Sequence, residues 1–246
     1  MFSQRHGPRV SLPPALLPSS VDLHGRAVSL GHLHPEHADD LYDFISGDSP
    51  TCAQLWDYMG DGPYKDRESF RAAIAAKSAS VDPFYIAIVD QDGLREGPER
   101  SSIGRAVGYL SLMRITPEHL TVEIGNVLFS PLLQRTTSAT EAIYLLIQHS
   151  FRDLGYRRVE WKCDALNEPS KCAALRLGFK FEGTFRQHMI VKGKNRDTAW
   201  YSMLKDEWNG GLRRAMEEWL EEGNFHADGK QKKRLEDYRN ALQCEK

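Results

Sequence analysis

The 246-residue chain has no apolar run approaching the roughly 18 to 20 residues that span a bilayer, and its first residues lack the apolar core of a secretory signal. A cytoplasmic protein with no membrane partner is the expectation. Cysteine is scarce and scattered. Cys52, Cys163, Cys172 and Cys244 form no C-x-x-C pair, so neither a zinc site nor a disulfide framework is encoded and no metal is expected. Charge of one sign is not in excess either: 32 Lys and Arg face 34 Asp and Glu, a formal net charge of −2, which gives no global field for nucleic acid. With 41% hydrophobic residues the chain can bury a substantial core, and one domain with extensions is the expected organisation.

The most informative segment runs from Val122 to Leu154. Val122, Ile124, Val127, Leu128 and Phe129 read as a strand that must stop at Ser130-Pro131, because proline donates nothing to a sheet ladder. The polar turn Gln134-Arg135-Thr136-Thr137-Ser138-Ala139 then opens a helix. Ala139, Ala142, Ile143, Leu146, Ile147 and Phe151 recur at three- and four-residue spacing, and Gly155 stands where a left-handed cap is expected. The first amides of a helix lack internal partners and carry the positive end of its dipole, so small residues there leave room for a phosphate. Ser138 and Glu141 also have the spacing of a capping box, which would satisfy the same end without a ligand. Both readings stand at this point.

A second strand, Val159–Cys163, leads through Asn167-Glu168-Pro169-Ser170 into a short helix that ends at Leu177-Gly178. Phe179–Gly183 and Thr198–Leu204 read as two further strands, joined by a turn over Lys192–Asp197. Upstream, Arg26–Leu30, Tyr85–Val89 and Ala106–Met113 read as strands, and Pro35–Ile45 and Asp66–Ala79 as helices. Asp90–Ser102 is charged and reads as an exposed hairpin loop. Residues 1–20, with four prolines, read as an extended arm, and 228–246 as a marginal terminal helix. Leu212, Ala215, Met216, Trp219 and Leu220 form a helical stripe that either packs on the chain's own sheet or, through Trp219, makes a homodimer contact.

Gln134 to Ala139, Asn167 to Ser170, Leu177-Gly178-Phe179, Glu182-Gly183-Thr184-Phe185-Arg186 and Glu207-Trp208 together resemble a GCN5-related N-acetyltransferase (GNAT) of the RimJ/RimL type. The resemblance covers roughly Leu23 to Trp208. It implies an α+β fold, an α/β/α sandwich whose mixed, mostly antiparallel sheet of about seven strands is splayed at an acetyl-CoA site, followed by C-terminal helices. The implied division is a 1–22 arm, a 23–208 acetyltransferase domain and a 209–246 extension. One departure stands out: the loop's first glycine position holds Thr137, which cannot take positive φ cheaply, so an ordinary φ is expected there.

The resemblance further implies acetyl-CoA as donor, with its diphosphate on Gln134, Arg135, Thr136, Thr137, Ser138, Ala139 and Thr140. Its pantetheine arm would lie along Val127, Leu128 and Phe129 and beside Asn167, Ser170 and Lys171. A strand amide at Val127 would polarise the thioester carbonyl. Asn167 is equally a helix N-cap. The tyrosine acid of many relatives is missing from Pro169–Leu177, which leaves Ser170 as the hydroxyl near the sulfur, or else a simple first-turn serine. For the base, alternation puts Glu123 on the same strand face as Val127, with His188 the second candidate. Trp56, Tyr58 and Tyr64, with Asp57 and Asp61, concentrate aromatics and acids in one loop that either encloses an amine or packs on the core; Asp197 and Trp200 join that cleft. The expected reaction is acetyl transfer to a small primary amine by direct attack in a ternary complex. A peptide N-terminus and a catalytically silent CoA-binding module are the alternatives.

Overall fold

Eight strands form one sheet in the order β1-β2-β3-β4-β5-β6-β8-β7 in a computed structural model, which describes residues 7–46, 50–91 and 104–244. The strands are β1 (Asp22–His24), β2 (Val28–His32), β3 (Phe84–Asp90), β4 (Arg105–Thr116), β5 (Thr121–Phe129), β6 (Arg158–Asp164), β7 (Lys180–Val191) and β8 (Lys194–Leu204). Only β5 and β6 run parallel; every other neighbouring pair is antiparallel. The resemblance implies about seven strands; the eighth is β1, which lies upstream of the first predicted strand and folds onto β2 about Gly25. The helices are α1 (His37–Ile45), α2 (Pro50–Gln54), α3 (Arg67–Ser78), α4 (Thr137–Gln148), α5 (Glu168–Leu177), α6 (Lys205–Glu207), α7 (Arg213–Leu220) and α8 (Leu235–Cys244).

Period-two alternation gives the sheet two apolar faces. Phe84, Ile86 and Ile88 of β3 join the core under α4, whereas Tyr85 and Ala87 join the core under α1 and α3. Ala142, Ile143, Leu146 and Ile147 of α4 face the first core; Leu41, Ile45, Phe70 and Ile74 of α1 and α3 face the second. Gly178 takes φ 99° and Gly155 φ 83°, so both serve as the expected left-handed stops. The β7–β8 connection is tighter than the predicted turn. Lys192 (φ 49°) and Gly193 (φ 73°) close a two-residue hairpin, and pairing resumes at once with Val191↔Lys194. Most of the predicted Asp90–Ser102 loop lies outside the described residues.

The described part of the N-terminal arm before β1, residues 7–21, has no regular structure, yet it is anchored: the Leu16 amide donates to Leu154 O at 2.8 Å and the Tyr156 hydroxyl to Leu16 O at 3.1 Å. Trp219 is buried against α4, α5 and α8 in the chain's own core, so the packing reading holds and Trp219 offers no dimer contact. Glu141 departs most from expectation. It caps nothing on its own helix; its buried carboxylate accepts from the amides of Arg26 (2.8 Å), Ala27 (2.8 Å) and Val28 (3.2 Å), fastening the β1–β2 turn to α4. A Cβ on Gly25 would lie 2.5 Å from that carboxyl carbon. Gly25→Ala is therefore expected to lower unfolding free energy by about 1–3 kcal/mol. In the same urea titration Gly223→Ala, where nothing lies within 4 Å, should stay within about 0.5 kcal/mol of the parent.

Candidate active site

The parallel pairing of β5 and β6 is short. It runs from Thr121↔Arg158 to Ile124↔Trp161, after which β5 has no partner on that side among the described residues. β5 also bulges. Between Tyr109↔Leu128 and Ser111↔Gly125 it carries one residue more than β4, and Asn126 in the bulge takes φ 49°. The extra residue inverts the alternation: Val122, Ile124 and Val127 pack toward α4, while Leu128 belongs to the core under α1. Glu123 and Val127 therefore lie on opposite faces, contrary to the reading from simple alternation. The backbone of Gly125–Phe129 is left as an open edge, the feature an added strand or a pantetheine amide requires. Leu128 can offer only backbone there, since its side chain is buried.

At the mouth of this opening Thr136 is the N-cap of α4. Its hydroxyl accepts from the Ala139 amide at 3.1 Å and donates to Leu133 O at 2.6 Å. Cap and first turn are thus set by Thr136, in place of the predicted Ser138–Glu141 pair. Thr137 has an ordinary φ as the first helical residue, and the left-handed conformation falls one step earlier than the cap, on Arg135 at φ 62°. Ala139 being satisfied, the Thr137 and Ser138 amides have no acceptor among the described residues, and the exposed Arg135 guanidinium has no partner among them. Two orphan donors, a helix dipole and a free cation fit a diphosphate. Gln134 is committed differently, its amide donating to Phe129 O at 3.0 Å. Thr140 is buried and accepts from Arg176 at 3.0 Å, so its side chain points away from this mouth.

Across the opening, Asn167 caps α5, its Oδ1 accepting from the Ser170 amide at 3.1 Å. Its Nδ2 has no protein partner among the described residues, so capping and pantetheine binding are compatible. The Ser170 hydroxyl accepts from the Trp161 indole at 2.9 Å, which leaves its own proton to donate. Cys163 lies beside Ser170; burial holds its thiol above the usual range. Lys171 is turned to Glu168 (2.6 Å) and Ala165 O (3.2 Å).

On the sheet face opposite α4, residues of β4, β5, β6 and β7 carry a ladder of charge, met on β8 by Ser202. Glu123, 3% exposed, accepts from Arg114 at 2.7 Å and Lys162 at 2.8 Å; Lys162 also meets Glu160 at 2.6 Å. Arg158 joins Glu160 at 2.7 Å and Glu182 at 2.5 Å, and Glu182 accepts from Ser202 at 2.6 Å. Three acids face three bases, so no charge is left uncompensated. The Arg158 hydrogen bond holds Glu182 down at about 2. Burial alone would raise Glu160, but Lys162 and Arg158 keep it below the carboxylate range. Lys162 sits 3.7 Å over the Trp200 ring, close to the point where β5 and β6 part.

The acceptor residues divide. Trp56 is fully buried, its indole donating to Ile45 O at 2.8 Å and its ring against Gly62, so it is a core residue and lines no amine cage. Tyr64 donates to Asp61 at 2.5 Å and packs edge-on against Trp56 and Phe70; burial and Asp61 raise its pKa. Asp61 is also ion-paired with Lys77. Tyr58 is exposed and its hydroxyl reaches Leu166 O at 3.1 Å, while Lys192 donates to Trp56 O at 2.7 Å. The α2–α3 connection thus straps the N-terminal half of the sheet to the C-terminal half, over the opening. His188 and Trp200 do come together: Phe185 lies 4.5 Å from Trp200 and 5.5 Å from His188, whose Nδ1 is 2.9 Å from Thr198 Oγ1. Asp197 instead braces the β7 bulge, accepting from the Gln187 amide at 2.7 Å and Asn195 at 3.0 Å.

Comparison with known proteins gives the family. Residues 28–180, more than half of the chain, match the family model described as an acetyltransferase (GNAT) domain. The chain belongs to the GNAT acetyltransferase family. A crystal structure of a GCN5-related N-acetyltransferase from Brucella melitensis is 39% identical with a TM-score of 0.86, covering 93% of this chain and 98% of that one. "Uncharacterized N-acetyltransferase YoaA" of Bacillus subtilis (strain 168) is 29% identical over 72% of this chain and 92% of its own length. "Uncharacterized N-acetyltransferase YnaD" of the same strain is 26% identical over 69% and 88%. The protein is an acyltransferase, and GNAT domains use acetyl-CoA as co-substrate.

Around the GNAT cleft, sequence reading passed over Arg114, Lys162 and Glu160, and gave Phe185 a place in a motif but no site role. The signal for Glu160 and Lys162 was present in β6, where Glu160, Lys162 and Asp164 alternate with Val159, Trp161 and Cys163. A strand apolar on one face and uniformly charged on the other marks an ion-paired floor. Glu160 and Glu182 have folded pKa values below their ordinary ones, so their contribution to stability is present above the carboxylate range and is lost as pH falls through it. Denaturation midpoints should accordingly drop between about pH 5 and pH 2, and Glu182→Gln should flatten that dependence. A slope identical in parent and variant would contradict the ladder's geometry.

Proposed function

We propose that this chain transfers acetyl from acetyl-CoA to the primary amine of a small molecule, by direct attack in a ternary complex. Bound acetyl-CoA supplies the activated acyl group as a thioester. The amides of Thr137 and Ser138, with Arg135, hold the diphosphate, and Gly125–Phe129 with Asn167 hold the pantetheine arm along the open edge of β5. The Val127 amide steadies the negative charge that develops on the carbonyl oxygen when the amine attacks. Ser170, which retains a donor proton, lies on the α5 side of the opening to stabilise the departing thiolate.

The proton leaving the amine goes to His188. Glu123 is occupied: Arg114 donates to both of its carboxylate oxygens and Lys162 to one of them, in a buried setting. His188 has one ring nitrogen fixed by Thr198 and stands beside Trp200 and Phe185, which give an amine-bearing group an aromatic seat. Glu123 serves instead to hold Lys162 beneath Trp200.

The observation that carries the small-molecule reading is the double strap, Tyr58 to Leu166 and Lys192 to Trp56, across the opening. An extended polypeptide needs an open groove, which the strap narrows. A release assay for CoA over polyamines, aminoglycosides, amino acids and N-terminal peptides should find turnover with a small amine; turnover confined to peptides would reverse the assignment, and none at all would favour a silent binding module. His188→Gln should leave about 10²- to 10⁴-fold less activity at neutral pH. If Glu123→Gln does so and His188→Gln does not, the two roles exchange.

A further inference from the structure

The family match ends at residue 180, yet the segment beyond Trp208 is fastened to the first turns of α4. Two arginines make the link on consecutive residues of that helix. Arg176 of α5 donates to Thr140 Oγ1 at 3.0 Å, and its guanidinium lies 4.7 Å over the ring of Trp219 in α7. Arg26 gives its backbone amide to Glu141 and its guanidinium to Leu220 O at 2.7 Å, at the end of the same α7. One turn on, the Tyr144 hydroxyl donates to Glu217 of α7 at 3.0 Å, and Trp208 lies 5.8 Å from the Tyr144 ring.

The grip is itself backed by a second layer. The Trp219 indole donates to Gln231 at 2.9 Å, and Asn224 is buried with its amide on Trp219 O and Lys233 O, both at 3.1 Å. From α8, Arg239 donates to Leu175 O and Arg176 O at 2.7 Å, so the end of α5 that carries Arg176 is clamped too. Burial lowers the Arg176 pKa, and no carboxylate lies within ion-pair distance of it among the described residues. Arg176 is thus kept where its contacts are a hydroxyl and an aromatic face, held as a strut between α7 and Thr140.

We infer that residues 209–244 are a positioning element of the donor site. Trp219, through Arg176 and Thr140, keeps the first turn of α4 in the geometry in which the Thr137 and Ser138 amides meet the CoA diphosphate. Helix ends fray unless tied, and preorganised donors lose less freedom when an anion binds. The inference rests on the reading that CoA binds at the α4 N-terminus, and it assigns Trp219 and Arg176 no contact with CoA.

Calorimetric titration of CoA into the full-length protein tests it, with melting temperature read alongside. Trp219→Leu, which keeps an apolar filler, and Arg176→Gln, on a half-buried side chain, should each weaken CoA about 3- to 30-fold. Their double variant should weaken it no further than the worse single, and acetyl-CoA KM should rise while acceptor KM stays put. Parental CoA affinity in both folded variants, or fully additive losses, would overturn the strut. Ala139→Asp separates the two claims: if it abolishes CoA binding while Trp219→Leu and Arg176→Gln bind normally, the donor site stands and the strut falls. If the parent protein fails to bind CoA, both fall.

Discussion

Everything at this site depends on a parallel ladder only four residues long. β5 and β6 pair from Thr121 to Ile124, and then part, because β5 bulges at Asn126 while β6 continues against β8 through Asp164↔Thr198. A longer ladder would close the sheet and leave no free edge. A shorter one would detach α4 and α5 from each other, since each follows one of the two strands. With the ladder as it is, the N-termini of both helices meet the opening, and two orphan amides of α4 and the spare amide of Asn167 face a common gap.

The two halves of the sheet solve different problems around that gap. The N-terminal half is covered on both faces and behaves as scaffold, with Trp56, Phe70 and Tyr109 fully buried. The C-terminal half is covered by helices on one face and tiled on the other by the ladder from Arg114 to Ser202. Buried ion pairs contribute little net stability, but removal of one member leaves a buried charge without a partner, commonly about 3–5 kcal/mol. The ladder therefore fixes conformation: it holds Lys162 under Trp200, beside the His188 that Thr198 contacts. Tyr58 and Lys192 join the two halves of the sheet.

Much of this was legible in the amino-acid sequence, for local reasons. Gly155, Gly178 and Asn167 act within one turn of themselves, so their roles follow from spacing alone. The restriction on Thr137 likewise follows from its Cβ. What escaped was decided by partners distant in the chain. Glu141 has capping-box spacing, but the backbone of residues 26–28 claims it; Trp56 sits in a loop rich in aromatics, but the core claims it. The bulge at Asn126 stands next to Gly125, a glycine inside a strand whose signal went unread, and one extra residue was enough to reverse the face assigned to Glu123. Arg176 and Trp219, 43 positions apart by subtraction of their numbers, show no periodicity that relates them.

The central claim is that the open end of α4 and the free edge of β5 form one continuous donor site. Amide hydrogen exchange, measured residue by residue with and without CoA, tests it most directly. Protection on CoA addition should concentrate at Thr137 and Ser138 and in Gly125–Phe129, with little change in α1 and α3. Protection at one of these segments without the other, or centred elsewhere in the sheet, would contradict the account.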